Sequence, residues 1–346
     1  MKNSFIINSR KVGRDFPPLV IAEIGINHEG DKDKAVQMIH DAHAAGAECI
    51  KFQCHVIEDE MVSDARKTIP ANCTDSIYSI MERCALSQDE DAALKKLTDS
   101  LGMIYLSTPF SRAAANSLEK LKVTAYKIGS GECNNYPLVE HIAQFQKPII
   151  LSTGMNNIKS ISRSVDILRK YRCPFALLHC TSIYPTPYKK VRLGALHHLQ
   201  KNFPDAVLGL SDHSMGNYTS FGAVALGASI IEKHFTSSKD WEGPDIDISL
   251  DPPELKDLIT GTKALHAALG GRKNILKEEQ PTIDFAYASV VAIKNIKKGE
   301  LLSRENIWVK RPGTGEILAK DYKSTLGKKV KNNISADQQL RQKDIV

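Results

Sequence analysis

What this chain of 346 residues lacks narrows it first. No run of about 18 apolar residues occurs, so no membrane-spanning helix is expected and no membrane partner. The opening Met1-Lys-Asn-Ser-Phe-Ile-Ile has neither the long apolar core nor the small-residue cleavage site of a secretion signal. Seven cysteines, odd in number and without a C-x-x-C pair, suit reduced thiols in a cytoplasmic protein rather than a disulfide framework. No G-x-G-x-x-G opens the first helical stretch, which argues against a dinucleotide-binding open sheet. Low-complexity segments and repeated units are absent, and aromatic residues make up only 6%.

What remains is the composition of a water-soluble globular protein, 42% hydrophobic and 25% charged. Its net charge of +6 is unevenly placed: from Arg272 onward 16 Lys and Arg face 9 Asp and Glu, against 30 and 31 before it. A basic tail without an aromatic stacking motif reads as a solvated face or a cationic lid over an anionic substrate, not as a nucleic-acid patch.

From Pro18 to about Gly270, short apolar runs alternate with amphipathic stretches. Eight strands are predicted: Leu19–Ile24, Cys49–Gln53, Met103–Ser107, Thr124–Ile128, Pro148–Ser152, Phe175–Cys180, Ala206–Ser211 and Ser229–Lys233. Helical patterns lie between them, and Gly46, Gly102 and Gly227 stop the units. Continuous apolar strands separated by helices imply a parallel sheet covered on both faces, and eight in about 250 residues is the size of a (β/α)8 TIM barrel. The predicted organisation is therefore α/β: a barrel over 1–272, a linker over 273–284, and a small β-rich module over 285–346. One βα loop, His55–Ser87, is far longer than usual and is expected to fold over the mouth of the barrel.

In a barrel, chemistry sits at the C-terminal ends of the strands. Those ends carry Glu23, Lys51 and Gln53, Thr108, Lys127 and Ser130, Ser152, Ser182 and Tyr184, Ser211 and His213, and His234. Two lysines on different strands, with hydroxyls and glycine-rich backbone nearby, are what a phosphate and a carboxylate need. A lysine alone at a strand end would as readily extend its ammonium to solvent, and a Schiff-base lysine stays open. A lone histidine beside an apolar run is usually a hydrogen-bonded structural residue. His213 and His234, at the ends of successive strands, together form a seat for a borderline divalent metal with no obvious third protein ligand. Glu23 and Asp245 are candidate proton-handling carboxylates, although Asp245 in Gly243-Pro-Asp is also a plausible turn residue. The residues point to metal-assisted carbon–carbon bond chemistry on an anionic substrate.

The motifs then become specific. Ile21-Ala-Glu-Ile-Gly-Ile-Asn-His-Glu-Gly30, Lys51-Phe-Gln53, Ser107-Thr-Pro-Phe-Ser-Arg112, Lys127-Ile-Gly-Ser-Gly-Glu132, Leu151-Ser-Thr-Gly-Met155, Tyr184-Pro-Thr-Pro187, Gly209-Leu-Ser-Asp-His213 and Glu232-Lys-His-Phe235 resemble the bacterial N-acetylneuraminate (sialic acid) synthases. The resemblance extends to the C-terminal module, whose Ala288-Ser-Val-Val-Ala292 and Val309-Lys-Arg-Pro-Gly313 look like the antifreeze-like (SAF) domain of these enzymes. It implies condensation of phosphoenolpyruvate with N-acetylmannosamine to N-acetylneuraminate and phosphate by C–O cleavage, assisted by Mn2+ or by Mg2+ or Co2+. It implies His213 and His234 as metal ligands, and Lys51, Thr108, Lys127, Ser130, Ser152 and Ser211 around phosphoenolpyruvate. Close relatives can carry Asn in place of Ser182, also at the phosphoenolpyruvate site. Gln53, Tyr184 and Asp245 would lie by the sugar, with Glu23 as acid–base residue. Arg311 would reach the sugar of the partner subunit in a domain-swapped homodimer. Two alternatives stay open: a synthase of a related acid, legionaminic or pseudaminic, and an ice- or carbohydrate-binding protein built on the C-terminal module.

Overall fold

Runs such as Leu19-Val-Ile-Ala and Cys49-Ile-Lys-Phe favour extended backbone, and with both faces apolar they require cover on both sides. In the computed structural model, which describes residues 3–70 and 74–346, they form eight parallel strands. These are β3 (Leu19–Gly25), β4 (Cys49–Cys54), β5 (Ile104–Pro109), β6 (Tyr126–Ile128), β7 (Ile149–Ser152), β8 (Phe175–Cys180), β9 (Val207–Asp212) and β10 (Ile230–His234). Their hydrogen-bonded order is β5-β4-β3-β10-β9-β8-β7-β6. Pairing of β10 with β3 returns the last strand to the first, and no ladder joins β5 to β6 among the described residues, so the sheet is a near-closed TIM-like barrel.

Each predicted strand is present, its bounds within a residue or two of expectation. The helices between them are α1 (Lys32–Ala44), α4 (Gln88–Ser100), α5 (Arg112–Lys120), α6 (Tyr136–Ala143), α7 (Ile158–Lys170), the single-turn α8 (Tyr188–Val191), α9 (Ala195–Asn202), α10 (Tyr218–Ala225) and α11 (Pro252–Ala268). Capping fixes several of their starts; Ser87 and Glu90 form a reciprocal capping box at α4. The apolar faces of these helices pack on the outside of the strands in one large core.

An element absent from the sequence reading closes the other end. Strands β1 (Ser4–Ile7) and β2 (Arg10–Gly13) pair antiparallel. Their Phe5, Ile7 and Val12 join Leu19, Ile21, Leu106, Ile150, Leu178 and Ile230 in a second cluster inside the barrel. Burying these side chains stabilises by roughly 1.5–3 kcal/mol each. The chemistry is thereby left to the opposite end.

Strand alternation sorts the barrel wall. On β9 and β10, Ser211 and Glu232 point inward, while Asp212 and Lys233 pair on the helix side, 3.4 Å apart and wholly buried, with Thr219 and Ser220 also donating to Asp212. The long βα loop folds into the short helices α2 (Ile57–Glu60) and α3 (Ile77–Cys84), with a 3-10 turn between them. Ile80 and Cys84 pack on Ile26, and Arg83 pairs with Glu29, which fastens the loop to the segment following β3. Residues 71–73, including Cys73, lie outside the described residues; the other six cysteines are reduced and buried. Among the described residues no helix is long and apolar enough to cross a membrane.

The chain divides into Met1–Gly270 and Gly271–Val346. Part of the stretch read as a linker is helical: a 3-10 turn at Lys277–Glu279 leads into α12 (Gln280–Ala286). The second unit pairs β11 (Ser289–Ala292) antiparallel with β12 (Ile307–Lys310) around a core of Val290, Ile296, Ile307, Val330, Ile334 and Leu340. Bridges such as Ile296–Ile334 and Val330–Ile345 take the place of longer strands.

Candidate active site

Thirteen of the fourteen predicted site residues line one cavity of about 360 Å³ at the C-terminal end of the barrel. They are Glu23, Lys51, Gln53, Thr108, Lys127, Ser130, Ser152, Ser182, Tyr184, Ser211, His213, His234 and Asp245. The fourteenth, Arg311, follows β12 in the second unit, where it lines a separate cavity with Lys310 and Arg341.

Period-two alternation brings Lys51 and Gln53 of β4 to the same side, and Glu232 and His234 of β10 likewise. Lys51 Nζ donates to Thr108 Oγ1 at 3.0 Å and pairs with Glu23 at 2.7 Å. Lys127 Nζ donates to Ser152 Oγ at 2.8 Å. Between the lysines sits Glu232, 4.0 Å from Lys51 and 3.5 Å from Lys127, accepting from Ser211 at 2.9 Å. Sequence reasoning missed Glu232 as a site residue. The signal was present: two residues before His234, it must share that residue's face.

Burial sets the electrostatics. Desolvation pushes the Glu23 carboxyl up to about 7 against the pull of Lys51, with Glu232 adding to the rise. Burial also works against the charged form of Glu232, but the two lysines outweigh it and hold the group below the ordinary carboxylate range. One carboxylate is therefore fixed as an anion, while the other holds or releases a proton near neutrality. Lys127 is lowered, by burial first. Lys51 is raised, because Glu23 and Glu232 outweigh its desolvation.

Beyond Lys127 the backbone comes unusually close to the hydroxyls. Gly154 donates its N–H to Ser130 Oγ at 3.0 Å, and a Cβ there would lie 2.5 Å from Ser182 Oγ and 2.8 Å from Ser130 Oγ. Only glycine fits. Lysines, hydroxyls and a bare backbone turn make this wall a receptor for an anion bearing several oxygens.

The imidazoles line the same cavity. The His213 and His234 rings lie 5.4 Å apart, with Tyr184 4.2 Å from His213 and 6.2 Å from His234. His213 Nδ1 donates to the Thr181 carbonyl at 3.2 Å, so in the neutral ring Nε2 carries the lone pair; against its burial, Cys180 and that carbonyl raise the pKa of the ring. Cys180 Sγ stands 3.7 Å from the same Nδ1. His234 Nδ1 is buried without a hydrogen-bond partner, 3.6 Å from Asp245 Oδ2. Burial, then the neighbouring His213 and lysines, keep His234 neutral. A satisfied structural histidine would have its nitrogens paired, so the orphaned atom fits a two-histidine metal seat. Among the described residues no group of three or more His, Cys, Asp or Glu side chains is arranged to hold an ion by itself. Asp245 begins a 3-10 turn over Ile246–Ile248, yet its carboxylate does not cap it. That carboxyl faces the cavity instead, pushed up to about 6 by burial against the pull of His213 and Lys51.

Comparison with known proteins agrees with this arrangement. The sequence model of the NeuB family matches residues 38–274, and that of the SAF domain matches residues 287–346. The chain is 39% identical to N,N'-diacetyllegionaminic acid synthase of Campylobacter jejuni, over 94% of this chain and 99% of that protein. It is 33% identical to human N-acetylneuraminate-9-phosphate synthase, over 95% and 92%. The crystal structure of an N-acetylneuraminic acid synthetase from Leptospira borgpetersenii in complex with citrate superimposes with a TM-score of 0.75 at 32% identity, covering 82% of this chain and 96% of that one. By motif, fold and shared length, the chain belongs to the NeuB family and carries a SAF domain at residues 287–346.

Proposed function

We propose that the protein condenses phosphoenolpyruvate with N-acetylmannosamine, giving N-acetylneuraminate and phosphate. The observation that carries this reading is the juxtaposition in one cavity of a Lys51–Lys127 anion wall and a His213–His234 wall, with the protonatable Glu23 between them. Lys51, Lys127 and the hydroxyls of Thr108, Ser130, Ser152, Ser182 and Ser211 hold the phosphate and carboxylate of the enol ester. Among the described residues Lys51 and Lys127 are the lysines or arginines lining the cavity, and both already face carboxylates, which favours an unphosphorylated sugar.

Carbon 3 of the enol attacks the aldehyde of the open-chain sugar, water adds at the resulting cationic carbon 2, and phosphate leaves with the bridging oxygen. Glu23, raised to about 7, exchanges a proton with the reacting oxygen; Gln53, Tyr184 and Asp245 orient the sugar. His213 and His234 would hold a divalent ion, Mn2+ in our reading, which would supply Lewis-acid polarisation of the aldehyde when bound. Arg311 reaches the sugar from a partner subunit in a domain-swapped homodimer.

A second sugar has a specific argument. Legionaminic acid synthases of Campylobacter jejuni and Legionella pneumophila are 39% and 33% identical to this chain against 33% for the human enzyme, and the Campylobacter likeness supports a 2,4-diacetamido-6-deoxy hexose. Phosphate release from phosphoenolpyruvate with a panel of amino-sugars separates the readings. Fastest turnover with N-acetylmannosamine supports the first, fastest turnover with the diacetamido sugar replaces it with the second, and no release with any amino-sugar overturns both.

A further inference from the structure

The longest βα loop of the barrel leaves β4 just past Gln53, yet among the described residues none of 55–87 lines the cavity. Two of its side chains nevertheless act on that wall. His55, at the start of the loop, stacks on Phe110 with ring centroids 4.6 Å apart and planes 11° apart. Its Nδ1 lies 2.8 Å from Glu60 Oε2 on α2, and its Nε2 lies 3.1 Å from Gln53 Oε1. The His55 and Glu60 side chains are 1% and 9% exposed.

Which end of a glutamine amide faces inward is decided by its hydrogen-bond partners. The Glu60 carboxylate accepts from His55 Nδ1, and the other ring nitrogen, Nε2, faces the Oε1 edge of the Gln53 amide. With Oε1 of Gln53 taken up by His55, the amide nitrogen is turned inward and donates to Glu23 Oε1 at 3.4 Å. A continuous chain thus runs from the loop to the acid–base residue: Glu60, His55, Gln53, Glu23. Holding the loop in place does not require Glu60, because its neighbour Asp59 already ties α2 to the barrel by accepting the N–H of Ala113 at 2.7 Å.

We propose that His55 and Glu60 are positioning residues: Glu60 fixes the ring of His55, and His55 fixes the Gln53 amide so that its N–H groups face Glu23 and the incoming sugar. The long loop then serves the sugar half of the site without touching substrate. This inference rests on the reading of Glu23 and Gln53 as sugar-side residues.

The test compares three variants of the full chain. His55→Phe keeps the ring on Phe110 and removes both hydrogen bonds. Glu60→Ala removes the outer acceptor from a loop helix outside the barrel, and Glu60→Gln restores an acceptor without charge. For His55→Phe, kcat/KM for the amino-sugar should fall on the order of 10- to 100-fold, the scale of a misplaced positioning group, while affinity for phosphoenolpyruvate holds. Glu60→Ala should fall in the same direction, and Glu60→Gln should recover most of the loss. Unchanged sugar kcat/KM in His55→Phe, an equal loss of phosphoenolpyruvate affinity, or no recovery in Glu60→Gln would each overturn the proposal. A crystal structure of His55→Phe gives a reading independent of turnover: Gln53 should leave hydrogen-bond reach of Glu23, and a Gln53 that stays in place refutes the positioning role. If the unaltered protein turns over no amino-sugar, the functional reading fails, while the crystallographic arm still decides this one.

Discussion

Replacing Glu232 by Gln probes the balance of charge on which the anion wall depends. The carboxylate lies 3.5 Å from Lys127 and 4.0 Å from Lys51, inside a wholly buried cluster. Each contact corresponds to about 4–5 kcal/mol of gross attraction at an effective dielectric of about 20. Losing one member of a buried ion group nets about 3–5 kcal/mol, because the partner charges stay desolvated. Gln keeps an acceptor for Ser211 and nearly the same volume, so packing should contribute little. The free protein should therefore melt roughly 10 °C lower, at about 2–4 °C per kcal/mol for a unit of this size. Two ammonium groups would then face only Glu23, so an anion should regain stability: phosphoenolpyruvate should raise the melting temperature more in Glu232→Gln than in the unaltered protein. Circular dichroism melts with and without phosphoenolpyruvate measure both effects. A variant that melts with the unaltered protein would refute the electrostatic reasoning. So would one that phosphoenolpyruvate no longer stabilises, since Glu232 would then be a ligand contact rather than a counter-charge.

Three further outcomes follow from the same geometry. Because the Glu23 carboxyl is raised from its ordinary 4.5 to about 7, its stabilising share is complete below the unfolded value and is lost as pH rises through 7; urea melts of Glu23→Gln should thus show a flatter decline in stability between those values than the unaltered protein, and parallel curves would contradict the shift. Gly154→Ala would place a Cβ 2.5 Å from Ser182 Oγ and 2.8 Å from Ser130 Oγ; an overpacking penalty of about 1–3 kcal/mol is expected, with phosphoenolpyruvate binding lost in calorimetry, whereas intact binding would place the ligand elsewhere. His234→Ala should abolish Mn2+ binding in a metal titration while the melt stays cooperative, and Mn2+ affinity equal to that of the unaltered protein would sink the two-histidine seat.

Much of this was legible in sequence because a barrel obeys two periods. Apolar runs at regular intervals mark the strands, and their last residues are brought to one rim, so Lys51, Lys127, His213 and His234 converge although up to 183 positions separate them. The hairpin of β1 and β2 was missed because four-residue strands give little pattern; its signal is the alternation of Phe5 and Ile7 followed by Asn8, which takes a left-handed φ of 55° in the turn. Glu232 shares the face of His234 by the period of two, but only the closed sheet brings it between Lys51 and Lys127. Asp245 reads in sequence both as a site carboxylate and as a turn residue, and it is both: its backbone turns while its carboxyl lines the cavity. The chain from Glu60 to Gln53 joins a loop to a strand, and no periodicity foretells side-chain hydrogen bonds between them.

The most direct measurement is the fate of the bridging oxygen. Phosphoenolpyruvate labelled with 18O between carbon 2 and phosphorus, incubated with the protein, Mn2+ and N-acetylmannosamine or the diacetamido sugar, should release phosphate carrying the label, and only when the sugar is present. Label retained in the keto-acid product, or phosphate released at the same rate without sugar, would contradict the condensation this site is proposed to perform.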